Sequence, residues 1–375
     1  VNERRRKADE AAKRSATLES APALAAWQAF VAARGTEKRK GKIRWGALSR
    51  RDYDRVAQEG GRPITRGRRN GRTTTQIGAL RPLLAFPLRE ITAERVRAWL
   101  RDEVALRPTH AALAYRLLCA FLRWAAAHKE YSGQIDTAVC TAKDVRNELQ
   151  KATPKADCLQ REQLKPWFNA VGKLPNPTHR VYLQTLLLTG ARREDLAALE
   201  WANVDFKWGS LTIHDKVQGS RVVPLTPYVA SLLRELQRRN VRPLKPTAGE
   251  EWKPSPWVFA SARAKNGRIQ EPRIAHNRAL DAAGLPPTTL HGLRRSFGTL
   301  SEWVEAPVGV VAQVMGHAPS AIAEKHYRVR PLDLLRAWHT KIEAWMLTEA
   351  GIEFDPEQVS AVSYGDGPLI KIGEG

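Results

Sequence analysis

"SLTIHDKVQGSRVVPLTP", residues 210–227, is where the chain changes its period. Leu211 and Ile213 alternate with polar residues, Val222, Val223 and Leu225 are β-rich, and "VQGS" between them is turn chemistry. The stretch predicts two short antiparallel strands around a hairpin. Thr226 followed by Pro227 is an N-cap and N1 pair that opens the helix "PYVASLLRELQRR". On both sides of the hairpin the apolar spacing is helical. Upstream, "RVYLQTLLLTG" reads as a buried helix ended by Gly190, and "REDLAALEW" as a second, short one. Downstream, past a Pro- and Lys-containing loop at 241–256, follow "LHGLRRSFGTLSEWV", "PVGVVAQVMG", "PSAIAEKHYRV" and "LDLLRAWHTKIEAWML". The last of these suits either the domain core or packing on a neighbour. A small antiparallel sheet set in a mainly α domain is the expected fold.

The first part of the chain carries no strand pattern and reads as all-helical to about residue 150. Residues 1–20 are charged and poor in large apolar side chains, a linker or exposed helix. A helical domain is expected over 21–152. In it Leu24, Trp27, Phe30 and Val31 share one face, Thr92 caps a helix that carries Val96, Trp99 and Leu100, and Leu113, Leu117, Phe121 and Trp124 form another stripe. Two basic tracts, "EKRKGKIRWGALSRR" and "RPITRGRRNGRTTTQ", interrupt these helices as solvated loops. "QKATPKADCLQREQL" marks the boundary to a second domain over 158–348, and 349–375, rich in Gly and acid, reads as a tail.

Lys+Arg 61 against Asp+Glu 39 leaves a formal charge of +22 over 375 residues. Such a surplus points to a polyanionic partner, and double-stranded DNA is the leading candidate because its phosphates form a dense row of charge. No apolar run is long enough to span a bilayer and no signal-peptide pattern opens the chain, so a membrane role is not expected and a cytoplasmic, DNA-associated one is. Cys119, Cys140 and Cys158 are odd in number and lack CxxC spacing, which fits a reducing compartment. The chain begins with Val1 rather than methionine, which leaves room for a module ahead of it.

Three stretches of the second domain put cationic or imidazole groups at helix ends or turns. "TGARRED" carries Arg192 just past Gly190; "HGLRR" carries His291 and Arg294, three apart and so on one helical face; "MGHAPSAIAEKHY" carries His317 after a glycine and Tyr327 ten residues later. Lys216 stands at the hairpin tip. Singly, each has an ordinary structural explanation: a capping arginine, a solvated lysine, a histidine on a carbonyl, a half-buried aromatic.

Taken in order, Arg192, Lys216, His291, Arg294, His317 and Tyr327 resemble the catalytic set of the tyrosine recombinases, the phage-type integrase family. The likeness is carried by "LLLTGARREDLAALEW", "QGSRVVPL", "LHGLRRSFGTL", "MGH" and "EKHY" over about residues 158–330, and extends more weakly to the helical first domain, which looks like a core-binding domain. It implies a DNA breaking-rejoining catalytic domain. Two departures stand out. Asp195 occupies the position where the family usually has glutamate, and Met315 the position where leucine is usual.

The resemblance implies site-specific cutting and rejoining of DNA through a 3'-phosphotyrosyl link, for a mobile element or prophage. Tyr327 would be the nucleophile, His291 its general base, and Lys216 the acid that protonates the leaving 5'-oxygen. Arg192, Arg294 and His317 would hold the phosphate oxygens, with Asp195 orienting its basic neighbours. Neither cofactor nor metal is expected, since no Walker motif or cluster of acids is visible. Lys40, Lys42, Arg44, Arg68 and Arg69 are candidate phosphate contacts. A homo-tetramer on two DNA sites, with both domains clamping the duplex, and accessory DNA-bending proteins complete the expectation. A type IB topoisomerase, or a non-catalytic DNA-binding regulator on the same scaffold, are the alternatives.

Overall fold

The computed structural model describes residues 22–39, 42–43, 45–64, 73–149, 155–215, 219–241, 254–317 and 330–356. The chain divides into two units, 1–154 and 155–375, each with its own core.

The first unit is built on helices α1 (Ala23–Thr36), α2 (Ala47–Ala57), α3 (Arg81–Leu84), α4 (Ala93–Leu106), α5 (Pro108–Ala127) and α6 (Lys143–Asn147). Its core is aromatic. Trp27 and Phe30 of α1 meet Tyr53 of α2 and Phe121 of α5, with Trp27 edge-on to Phe121 at 5.3 Å between ring centres. Thr92 caps α4 through the Arg95 amide as its position predicts, and Val96, Trp99 and Leu100 are buried behind it. Two expectations need correction. The expected stripe of α5 is only partly its buried face: Phe121 is buried and Leu117 and Trp124 pack half-buried against the core, but the face is centred on Ala111, Ala114, Tyr115, Leu118, Cys119, Leu122 and Ala125. Small alanines let a neighbouring backbone approach closely, and the Tyr115 hydroxyl donates to the Val139 carbonyl at 2.8 Å, so a face poorer in large aliphatics wins the interior. The unit is also not wholly helical: β1 (Lys38–Arg39) and β2 (Lys42–Ile43) pair antiparallel inside the first basic tract.

The second unit starts with α7 (Leu164–Gly172) and α8 (Pro177–Thr189). From Val181 to Thr189 every residue of α8 is buried, so it is the central helix that the apolar run "VYLQTLLLT" predicts. Gly190 ends it at φ 56°, and a Cβ there would stand 2.5 Å from the Phe297 ring, so both conformation and space require glycine. The short α9 (Arg193–Ala197) follows. Strands β3 (Val204–Asp205), β4 (Ser210–Asp215) and β5 (Gly219–Pro224) form one antiparallel sheet in that order, with Leu211 opposite Val223 and Asp215 opposite Gly219. The hairpin is the one expected; β3 is an addition. Then come α10 (Pro227–Val241), α11 (Arg273–Ala282), α12 (Leu290–Leu300), α13 (Val308–Met315) and α14 (Leu332–Ala350).

Helix α14 belongs to this unit's own core: Leu335, His339, Ile342, Glu343, Met346 and Leu347 are all buried. Thr226 and Pro227 open α10 as expected, but α14 supplies the acceptor for its first amides. The buried Thr226 hydroxyl hydrogen-bonds the Glu343 carboxylate, and that carboxylate accepts the Tyr228 and Val229 amides at 2.8 and 3.2 Å. The cap is therefore supplied from a distant helix, and Thr226 braces it. Beyond α14, Phe354 packs edge-on to Tyr228.

Candidate active site

Two helix stops and one helix start generate the site. The left-handed Gly190 turns the chain so that Arg192 becomes the N-cap residue of α9. Gly316, at φ 74°, ends α13 in a Schellman motif, its amide bonding the Gln313 carbonyl and that of His317 the Ala312 carbonyl at 2.9 Å. Thr289 caps α12 through the Gly292 amide, which places His291 in the first turn and Arg294 one turn on.

Arg294 joins these pieces. It is 4% exposed, and its Nη1 donates to the Gly190 carbonyl at 2.6 Å and the Met315 carbonyl at 2.7 Å. Arg192 Nη2 donates to the next carbonyl, that of Gly316, at 2.9 Å. Two guanidinium groups thus grip successive carbonyls of the α13 stop, and that stop leads into His317. Met315 lies buried in the core, as an apolar replacement should.

Asp195 Oδ2 lies 3.7 Å from Arg192 Nη1 and 3.9 Å from Nη1 of a further arginine, Arg221 on β5. The shorter aspartate stem therefore still reaches two cations. No sequence motif pointed to Arg221. Its side chain is 7% exposed, and a Cβ on Gly316 would meet its guanidinium at 2.7 Å. A signal was present all the same: on β5, Arg221 and Val223 are inward residues and Val222 between them is exposed, so an arginine occupies a core-facing position.

The two imidazoles form the open rim of this cationic floor, for His291 and His317 are both exposed residues. Each titrates below the ordinary histidine value. For His317 partial burial is the first cause, followed by the charges of Arg294, Arg192 and Arg221 and by His291; for His291 burial comes first, followed by Arg295 and Arg294, with Asp157 opposing and Arg192 adding to the depression. The structure therefore brings Arg192, His291, Arg294 and His317 together, with Asp195 and Arg221 beside them. Such a group, two neutral imidazoles over fixed guanidinium charge, suits a tetrahedral oxyanion that gains charge as it reacts. Lys216 and Tyr327 lie outside the described residues. So do Lys40, Arg44, Arg68 and Arg69, while Lys42 is in β2.

Comparison with known proteins matches both units. The phage integrase core-binding domain family matches residues 22–147, and the phage integrase family matches residues 158–331. The prophage integrase IntF of Escherichia coli (strain K12) is 52% identical over 302 residues, covering 80% of this chain; the match spans 62% of that integrase's length. Among solved structures, a lambda integrase dimer bound to a COC' core site superposes with a TM-score of 0.55 at 18% identity, covering 85% of this chain and 81% of the other. The Tn1549 transposon integrase in complex with circular intermediate DNA also gives 0.55, at 16% identity, covering 85% of this chain and 99% of the other. At those identities the structures speak to the fold.

Proposed function

The chain belongs to the phage integrase family of tyrosine recombinases, and from that premise we propose that it cuts and rejoins DNA site-specifically through a 3'-phosphotyrosyl intermediate on Tyr327. The observation that carries the reading is that Arg192 and Arg294 meet on the carbonyl turn 315–316, which leads into His317, with His291 in electrostatic reach of both arginines and of His317. Four residues from three separated motifs meet at one place, beside a turn that leads toward Tyr327 in the sequence.

The chemistry follows from the groups. Attack on a phosphodiester passes through a five-coordinate phosphorus with added negative charge on the non-bridging oxygens. Guanidinium forks fixed before the substrate arrives stabilise that state more than the ground state. Arg192 and Arg294 hold two such oxygens, and the neutral His317 donates a further hydrogen bond. His291, also neutral near pH 7, accepts the phenol proton of Tyr327, whose ordinary pKa of about 10 calls for a base. The tyrosine oxygen forms the new P–O bond, the 5'-oxygen departs, and Lys216 gives it a proton. Because the phosphodiester energy is retained in the tyrosyl link, a 5'-hydroxyl from another strand reverses the step without ATP. The working species is a homo-tetramer on two double-stranded DNA sites, with accessory DNA-bending proteins, acting for a prophage or related element.

The test is covalent capture. Wild-type protein should trap DNA as an adduct that sequencing then maps to one site, while Tyr327→Phe should bind that site and form none. An adduct with the phenylalanine variant would remove Tyr327 from the role. Exchange between two such sites, set against relaxation of a single supercoiled circle, separates a recombinase from a type IB topoisomerase. Binding without any adduct from the wild type would favour a non-catalytic regulator.

A further inference from the structure

The helix that carries His291 and Arg294 is held at its first turn by the residues where the chain enters the second unit. Asp157 Oδ2 accepts two hydrogen bonds from Thr289, one from the amide at 3.0 Å and one from the hydroxyl at 2.7 Å. The same hydroxyl accepts the Gly292 amide at 2.9 Å as the helix cap. The other carboxylate oxygen, Oδ1, pairs with Arg295. Two residues on, the Leu159 amide donates to the Ser296 hydroxyl at 2.7 Å, which itself donates to the Gly292 carbonyl at 2.9 Å. The fit is tight, for a Cβ on Gly292 would collide with the Asp157 carbonyl oxygen. His291 stands between Leu290 and Gly292, inside this turn.

A carboxylate at this place does two jobs. It satisfies the amide of the cap residue and complements the positive end of the helix. Its charge also bears on His291: the groups that act on that imidazole are Arg295 and Arg294 on its own helix, Arg192 beyond α8, His317 beyond α13, and Asp157. All but Asp157 disfavour the protonated ring. Burial works against the ionised form of Asp157, yet the Thr289 hydrogen bonds and Arg295 outweigh it and hold the carboxyl below its ordinary range. It is therefore charged throughout the working range.

We propose that Asp157 is a positioning residue of the active site, which latches the entry segment 157–159 onto the first turn of α12 and so fixes the placement of His291. The proposal rests on the function proposed above, since it assigns the latch a catalytic consequence. No part of the sequence pattern announces it, because Asp157 sits in the polar stretch "KADCL" and its partners follow 132 to 138 residues later.

Two variants test it from different directions. Asp157→Asn keeps the shape and removes the charge; Gly292→Ala keeps every charge and forces the contact apart, although alanine is otherwise the better helix former. Three measurements are made on the full chain: the titration of His291 by NMR without DNA, binding to the captured site, and the single-turnover rate of adduct formation against pH. In Asp157→Asn the His291 titration and the acid limb of the rate profile should both move to lower pH, with the plateau rate down about tenfold and site binding retained. Gly292→Ala should lower the rate by a similar factor with the protein still folded and binding. An unmoved His291 titration in Asp157→Asn overturns the latch whatever the enzyme does, and so does an unchanged rate in both variants. Loss of the adduct in the wild type itself would instead sink the recombinase reading, while the NMR arm still decides whether Asp157 sets the imidazole.

Discussion

Under the proposed function Arg294 would be structural and chemical at once. Its guanidinium reaches the stop of α8 through the Gly190 carbonyl and the stop of α13 through the Met315 carbonyl, from a position only 4% exposed. A lysine would carry the same charge on a single point, without the planar guanidinium whose Nη1 meets both carbonyls. Arg294→Lys should thus fold and bind DNA but form adduct about 10²–10³-fold more slowly, the usual consequence of losing a fixed donor at a developing oxyanion. Single-turnover adduct assays beside a melting curve check this, and a loss under about tenfold would mean that only the charge matters. Arg192, His291, Arg294 and His317 could be named from the sequence only as an ordered set, through the family resemblance, since each alone had an ordinary structural explanation. Arg221 and Asp157 could not. The first is an arginine on the inward side of a strand, noticeable only once the pleat is known; the second acts through tertiary contacts that leave no local period.

Helix α14 carries a comparable element-scale device in Glu343, whose carboxylate caps α10 from inside the core. Burial pushes Glu343 up to about 7, against the pull of the Thr226 hydroxyl and the Tyr228 and Val229 amides. The folded state consequently keeps a proton that the unfolded chain, near the ordinary glutamate value, has already released. Stability from this group falls as pH rises from about 4.5 to about 7. Two buried histidines act in the opposite sense. His276, which accepts the Trp167 indole N–H, and His339, on the Leu188 carbonyl, both titrate near 4 because of burial, so their contribution is lost as pH falls below about 6.5. The unmodified protein should show a partly cancelled pH dependence. Glu343→Gln removes one side of the balance, so its stability relative to the parent should climb with pH across that window, by about 3 kcal/mol if the whole shift is expressed. Urea midpoints at a series of pH values would show it, and a constant difference would mean that Glu343 titrates normally. The helix itself was readable from its spacing, but the partner of its buried acid was not, since Thr226 looked like a sufficient cap and the true acceptor lies 115 residues from the Tyr228 amide.

At the scale of the whole molecule the dominant fact is the charge of +22, with 61 lysines and arginines against 39 acids. Self-repulsion of that size weakens a compact state, so the surplus is better understood through what it attracts than through what it stabilises. In the second unit Arg192, Arg221 and Arg294 are held by carbonyls and by Asp195, and under the proposed function they would form the floor of the reaction site. The candidates for binding along the DNA backbone, Lys40, Lys42, Arg44, Arg68 and Arg69, belong instead to the first unit's basic tracts. The proposed function would then divide the labour: few cations would recognise one phosphate with geometry, and many would neutralise its neighbours without it. Each neutralised phosphate releases condensed counterions, and the logarithm of affinity then falls with the logarithm of salt at about 0.9 per contact. With six or more contacts, affinity should drop by about 10³ or more between roughly 50 and 200 mM salt. Changing Arg68 and Arg69 together to alanine should reduce that slope by about two contacts and leave the plateau adduct rate at saturating DNA unchanged. Anisotropy titrations on the captured site at four salt concentrations would measure the slope, and single-turnover assays at saturating DNA the rate. A slope unaffected by the double change would place those arginines away from the duplex and leave the binding charge to other parts of the chain.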